Sequence, residues 1–187
     1  MISKNDLFMN CKSQLRLHLK QVRQALLKER RHQSASLASA YLFTLTKQAK
    51  QVLSYASFGT ELDLWPLNKK LIDQGKLILP KMESHGLRLF RVKNLAHLNP
   101  NGLGILEPIP SLCEEVSLSE ISLVFVPGLG FDLCTSHRLG YGKGYYDRLL
   151  QSQTDKRKSW GVGFKEQSMN ALPISLLDVP LNGHLLF

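Results

Sequence analysis

The run from Ile121 to Asp147 constrains this chain more than any other. It opens with Ile121–Val126, a stretch of the buried-strand type that is apolar except for Ser122, and turns at Pro127-Gly128. It continues through Gly130-Phe131-Asp132 to Arg138-Leu139-Gly140-Tyr141-Gly142-Lys143-Gly144-Tyr145-Tyr146-Asp147. Strand, glycine-rich loop and a helix beginning near Gly144 thus follow one another, an order that places a loop against a helix N-terminus. Three glycines at alternate positions, Gly140, Gly142 and Gly144, let backbone N–H groups approach a polyphosphate, and the helix end adds partial positive charge. Arg138 offers phosphate oxygens a planar fork and Lys143 a point charge. Asp147 falls in the first helical turn, where a carboxylate is favoured and can reach a magnesium ion bridging phosphates. Gly144 follows the lysine where a P-loop needs Ser or Thr, and Tyr145 takes the third glycine position of the dinucleotide fingerprint. From the residues alone, the segment is a phosphate-binding glycine loop or a tight structural turn.

The rest of the chain supplies a setting for such a loop. Leu15, Leu19, Val22 and Leu26 recur at helical spacing within 11–30 and predict an apolar core stripe. Lys12, Arg16, Lys20 and Arg23 follow the same spacing in an adjacent sector, either a solvated face or a basic edge leaning over a bound anion. A second helix is predicted over roughly 34–50, then a buried strand over Val52–Phe58 closed by Gly59. Leu64–Gln74 reads as a helix stopped by Gly75; Lys76–Pro80, Leu87–Val92 and Ser159–Phe164 read as strands. Between 94 and 119, turn formers such as Asn99-Pro100-Asn101-Gly102 and Glu107-Pro108-Ile109-Pro110 predict a long ordered loop of functional type. Alternation of strands with helices favours an α/β fold, a single layered α/β/α domain over 1–187 with a largely parallel central sheet.

The chain has 24 Lys and Arg against 15 Asp and Glu, a formal charge of +9, so an anionic partner is expected. ATP and a folate with a polyglutamate tail meet that description as well as nucleic acid does. The cations are dispersed, and no nucleic-acid-binding signature accompanies them. Cys11, Cys113 and Cys134 are an odd, widely spaced set that suits a reducing compartment, and a cytoplasmic location is expected. No apolar run approaches a membrane span, and the first 25 residues lack the continuous apolar core of a secretory signal. The six histidines show no zinc spacing.

The segment PGLGFD followed by RLG-x-GKGYYDR resembles the signature of the 5-formyltetrahydrofolate cyclo-ligase family, also called methenyltetrahydrofolate synthetase. Lys12-x-x-x-Arg16 resembles its N-terminal nucleotide-binding pair, and Ser57–Asp63 with Glu61 its folate-contacting segment. Gly104-Ile105-Leu106-Glu107-Pro108, Gly163-Phe164-Lys165-Glu166-Gln167 and the stretch from Leu172-Pro173 to Asp178-Val179-Pro180 extend the likeness over most of the chain. The resemblance implies ATP binding by Lys12, Arg16, Arg138, Leu139, Gly140, Tyr141, Gly142, Lys143, Gly144, Tyr145 and Tyr146. It implies folate contacts from Ala56, Glu61 and the loop residues Tyr141 to Tyr145. It also implies magnesium held by Asp147 and Asp178. Taken alone, Glu61 reads as a surface carboxylate, and Asp178 as a cap of a turn or helix.

In that family ATP phosphorylates the formyl oxygen on N5, N10 closes the ring, and phosphate leaves. Lys143 and Arg138 would then be the catalytic cations, with ATP and Mg2+ as co-substrate and cofactor. Expected partners are these small molecules, not nucleic acid or a membrane, and a monomer is expected. The chain departs from the pattern at Leu133–His137, which is longer and lacks a glycine. It departs again at Leu103, where relatives place an aromatic residue that stacks on the pterin, and at Asn182 in place of a frequent Asp. Two rivals remain open on the residues: a basic nucleic-acid-binding protein, and an α/β protein acting on another phosphorylated small molecule.

Overall fold

The computed structural model describes residues 4–151 and 158–187, with side chains from Cys11 onward. In chain order the helices are α1 (Lys4–Ala25), α2 (Lys28–Leu45), α3 (Trp65–Asp73) and α4 (Tyr145–Gln151). The first six strands are β1 (Val52–Leu53), β2 (Leu77–Glu83), β3 (Gly86–Arg91), β4 (Leu98–Pro100), β5 (Leu106–Pro108) and β6 (Glu114–Glu115). The remaining six are β7 (Leu123–Val126), β8 (Gly130–Asp132), β9 (Arg138–Leu139), β10 (Lys158–Gly163), β11 (Ser168–Met169) and β12 (Gly183–Leu186).

Seven strands form one sheet in the order β12-β10-β7-β1-β2-β3-β6. The five from β12 to β2 run parallel, and β3 and β6 add an antiparallel edge. Period-two alternation sorts their side chains between two faces. Val52, Leu77, Leu79, Leu123 and Phe125 face α2 and α3 with Ala38, Leu42, Leu67 and Leu71. Leu53, Ile78, Val124 and Val126 face the opposite way, where α4 contributes Leu150. This is the layered α/β/α arrangement the sequence predicts. Each fully buried Leu or Phe in these layers contributes roughly 1.5–3 kcal/mol.

The topology also locates a crevice. From β1 the chain moves one way along the sheet to β2 and later returns to lay β7 on the other side of β1. Such a switch between neighbouring parallel strands opens a cleft beyond their C-terminal ends, where α/β folds bind ligands. The segment after β1 carries residues 54–64, and the segment after β7 leads into the glycine loop.

A three-stranded sheet, β11-β8-β9, stands beside the main one. Leu19 of α1 packs there with Leu129, Leu139 and Leu172, supported by Leu15 and Met169. This small core lays α1 alongside the glycine loop.

Helix boundaries differ from the predicted ones. The expected helix over 11–30 stops at Ala25, and the second begins at Lys28 and ends at Leu45 rather than running over 34–50. Leu26 continues the apolar period, so the break is invisible in the pattern; Leu27 is extended, with φ −61° and ψ 152°. Arg31 makes the break affordable by donating from Nη2 to the carbonyls of Arg23 (3.3 Å) and Gln24 (2.9 Å), which would otherwise be orphaned at a helix end. The expected strand over Val52–Phe58 pairs only at Val52–Leu53, although Ser54, Tyr55 and Ala56 stay buried. The predicted strand Lys76–Pro80 instead runs from Leu77 to Glu83 and turns back into β3 as a hairpin. The predicted loop over 94–119 is ordered by the β4–β5 hairpin, whose buried Glu107 accepts from Lys81 Nζ (3.2 Å), Met82 N (3.2 Å) and Asn101 Nδ2 (3.0 Å).

Candidate functional site

The glycine loop rises from β9 and drops into α4. Gly142 has φ +101° and Gly144 φ +64°, a left-handed backbone that side chains disfavour. A Cβ on Gly142 would meet Cζ of Arg16 at 3.4 Å, an ordinary contact, so the backbone conformation rather than space is what asks for glycine there. Tyr141, Gly142 and Lys143 are exposed at the crest, and Gly140, Gly144, Tyr145 and Tyr146 are half-buried at its shoulders.

The basic sector of α1 is turned largely toward the rest of the fold, with Lys20 alone of the four exposed. Arg16 donates from Nε to the carbonyl of Gly140 (2.9 Å) and fixes the loop from the side. Arg23 is buried and donates from Nε to Oγ1 of Thr60 (2.9 Å), while its guanidinium lies 5.7 Å from the Tyr141 ring centre. Lys20 lies 6.0 Å from the same ring. Lys12 is buried and donates from Nζ to Oδ2 of Asp178 at 2.6 Å. One helix face therefore touches three otherwise distant segments.

The segment after β1 meets the loop at a side-chain hydrogen bond. Tyr141 donates from its hydroxyl to Oε1 of Glu61 at 2.6 Å, across 80 positions of sequence. Glu61 Oε2 accepts from the backbone N–H of Phe58 (3.1 Å). Burial pushes the Glu61 carboxyl up, and the Tyr141 hydroxyl, the Arg23 charge and the Phe58 N–H only partly offset it. Burial likewise raises the Tyr141 phenol, so it remains the donor.

Beneath the crest, Arg138 is buried, donating from Nη2 to Oδ1 of Asp147 (3.0 Å) and from Nη1 to the carbonyl of Val179 (3.2 Å). Asp147 Oδ1 also accepts from Val179 N–H (3.2 Å), which brings it next to Asp178. Burial alone would raise the Asp178 carboxyl, yet Lys12 and the Ser175 N–H hold it below the usual carboxylate range.

The site thus combines an exposed backbone crest, cations around it and a half-buried carboxylate bonded to it. The family described as "5-formyltetrahydrofolate cyclo-ligase family" matches residues 8–185. The chain belongs to that family. A 5-formyltetrahydrofolate cyclo-ligase of Haemophilus influenzae is 30% identical over 177 residues, covering 91% of this chain and 94% of its own. The solution structure of Aquifex aeolicus 5,10-methenyltetrahydrofolate synthetase superposes with a TM-score of 0.80 at 36% identity, covering 91% of this chain and 87% of that one. A 5,10-methenyltetrahydrofolate synthetase from Mycoplasma pneumoniae shares the fold, with a TM-score of 0.74 at 22% identity over 92% of this chain and 96% of its own.

Within this cyclo-ligase family chain, the residues singled out in the sequence converge on one region but occupy different depths in it. Arg16, Gly140, Tyr141 and Glu61 are directly linked. Lys12, Arg138, Asp147 and Asp178 form a second, deeper set of ion pairs. Leu139 is buried in the core under α1, so only its backbone faces outward chemistry, and Ala56 is buried near the cleft wall. Tyr145 carries the Arg148 guanidinium 5.3 Å from its ring centre. Tyr146 packs against the second core face, and its buried hydroxyl has no hydrogen-bond partner among the described residues. Phe58 and Leu103 both expose large apolar surface, and a Cβ on Gly104 would lie 3.3 Å from the Phe58 ring. The hairpin tip and the segment after β1 thus share an apolar rim. The roles of Thr60 and Arg23 at the Tyr141–Glu61 junction had no sequence signal beyond Arg23's place on the basic face of α1.

Proposed function

We propose that this chain catalyses the ATP-dependent cyclisation of 5-formyltetrahydrofolate to 5,10-methenyltetrahydrofolate, releasing ADP and phosphate. The observation that carries the reading is the Tyr141–Glu61 bond, which holds a folate-contacting segment against a phosphate-type glycine loop in one crevice. A site that brings two anionic substrates together needs both halves within reach of each other.

The residues fit the groups they would hold. For ATP, the fit lies in the left-handed Gly142 and Gly144, the exposed crest and the flanking Lys12, Arg16 and Lys143. For magnesium, the fit is two neighbouring carboxylates, each engaged internally through one oxygen, Oδ1 of Asp147 and Oδ2 of Asp178. No group of three or more such ligands stands together among the described residues, which suits an ion that takes most of its ligands from phosphate and water. Bound there, magnesium would neutralise charge on the phosphates.

A formamide oxygen is a weak nucleophile and a poor leaving group, so its conversion to a phosphate ester makes departure possible. The formyl oxygen takes the γ-phosphoryl group, ADP leaves, N10 attacks the formyl carbon and gives up its proton to solvent, and the C–O bond breaks to release phosphate. The protein's task is to align the reactants and stabilise charge on the moving phosphoryl group. Lys143, exposed at the crest, is the residue placed to touch that group. Arg138 acts from below, by holding Asp147 and the start of α4. Glu61, bonded to Tyr141, faces the folate. The chain works as one domain over 1–187, as a monomer in the cytoplasm, a setting that the free Cys11, Cys113 and Cys134 suit. Among the described residues, no helix is long and apolar enough to cross a membrane.

The test is direct. Purified protein incubated with 5-formyltetrahydrofolate and Mg-ATP should develop the absorbance of the methenyl product, and should not when ATP is omitted. Absence of product with both substrates present refutes the proposal.

A further inference from the structure

Arg23 is the most buried cation near the crevice that the reaction above does not use. It is 5% exposed, and its position seven residues after Arg16 puts the two on one face of α1. Arg16 grips the glycine loop through the Gly140 carbonyl, whereas Arg23 grips the segment after β1 through Thr60. Its guanidinium also flanks the ring of Tyr141, the residue whose hydroxyl bonds Glu61. The carbonyl of Arg23 is in turn held by Arg31 of α2. A rigid, charged splint therefore spans both halves of the crevice at the point where they meet.

We propose that Arg23 is a positioning residue of the reaction: by holding Thr60 and flanking Tyr141, it sets the Glu61–Tyr141 bridge that aligns the folate segment with the phosphate loop. The inference rests on the function proposed above and adds to it the charge that draws the raised Glu61 carboxyl back toward its ordinary range. Four elements face Glu61. The segment after β1 offers the phenol of Tyr55 and the Phe58 N–H, the glycine loop Tyr141, α4 Tyr146, and α1 Arg23. All three phenols are raised and stay neutral, so Arg23 is the full positive charge in this group. Its loss leaves burial, the largest influence on the Glu61 carboxyl, opposed only by hydrogen bonds.

The experiment compares Arg23→Met and Arg23→Lys with the wild type in steady-state kinetics across pH. Arg23→Met should raise KM for 5-formyltetrahydrofolate by roughly tenfold, and change KM for ATP much less. Because a cause that lowers the Glu61 value is removed, the acid limb of kcat/KM should move to higher pH, and Arg23→Lys should restore most of it. Equal shifts in both KM values, or an unmoved acid limb, overturn the proposal. A carbon-13 NMR titration of the ligand-free protein reads the same coupling without turnover, with the Glu61 signal identified as the one lost in Glu61→Gln. An upward move of that signal in Arg23→Met supports the coupling even if no methenyl product ever forms, and an unmoved signal defeats it even if cyclisation is confirmed.

Discussion

At the base of the glycine loop Arg138 is 8% exposed, with both terminal nitrogens bonded inside the chain; at its crest, five positions later, Lys143 is exposed to solvent. The two cations belong to one motif and carry the same charge. The base invests its cation in the architecture, locking Asp147 and Val179 beneath the start of α4, while the crest presents its cation to solvent. The difference teaches that a motif specifies residue types together, yet depth in the fold divides them into those that build the loop and those that use it.

The largest expected effect tests the crest. Lys143→Ala should lower kcat by about 10²–10³-fold, as the loss of one charge-stabilising donor does, while the thermal midpoint stays near the wild-type value. Melting curves and methenyl absorbance read the two halves of that statement separately. Arg138→Met should do the reverse in emphasis. It leaves Asp147 without its cation, and since that carboxylate is only partly open to solvent the protein should lose about 2–3 kcal/mol in denaturant unfolding. An Arg138→Met variant that melts like the wild type but fails in turnover would place Arg138 with Lys143 and erase the contrast.

A smaller effect concerns the second deep pair. Asp178 is held below its ordinary range, so its contribution to stability is present above the unfolded value and is lost as pH falls through the folded one. Lys12→Met removes the ammonium and leaves Ser175 as the group that opposes the effect of burial on the same carboxyl. The variant should therefore be less stable than the wild type at neutral pH and converge with it in acid, a gap that thermal midpoints measured from pH 7 downward will show or deny.

How far these two depths could be read in advance differs by feature. The parallel sheet was legible, because Leu77-Ile78-Leu79 and Leu123–Val126 are apolar on both faces, as buried parallel strands must be. The glycine loop was legible from its own spacing. The break at Leu26–Leu27 was not, since no Gly or Pro marks it and Arg31 satisfies the open carbonyls from four residues into the next helix. Nor could spacing within α1 decide whether its basic sector faced solvent or the loop, because that depends on β8, β9 and β11 forming a small sheet for Leu19 to rest on. The Glu61–Tyr141 bond joins residues whose proximity arises only from β7 returning beside β1.

The smallest effect sharpens the contrast at another exposed position. Leu103 is 67% exposed at the tip of the β4–β5 hairpin, where its backbone is fixed by Asn101 accepting from the N–H of Leu103 (2.9 Å) and of Ile105 (3.1 Å). Its side chain, like that of Lys143, is not part of the core, so an exchange there should be neutral for stability. The hairpin tip lies against Phe58, and an aromatic residue at 103 would give the rim a second ring with which to stack a pterin. A stacked pair is worth about 0.5–1.5 kcal/mol, so Leu103→Trp should lower KM for 5-formyltetrahydrofolate by about two- to tenfold. The thermal midpoint and KM for ATP should not move. If KM for the folate rises instead, Leu103 is packing against a partner within the chain, and the rule that exposed positions at this site serve the ligand fails at its second test.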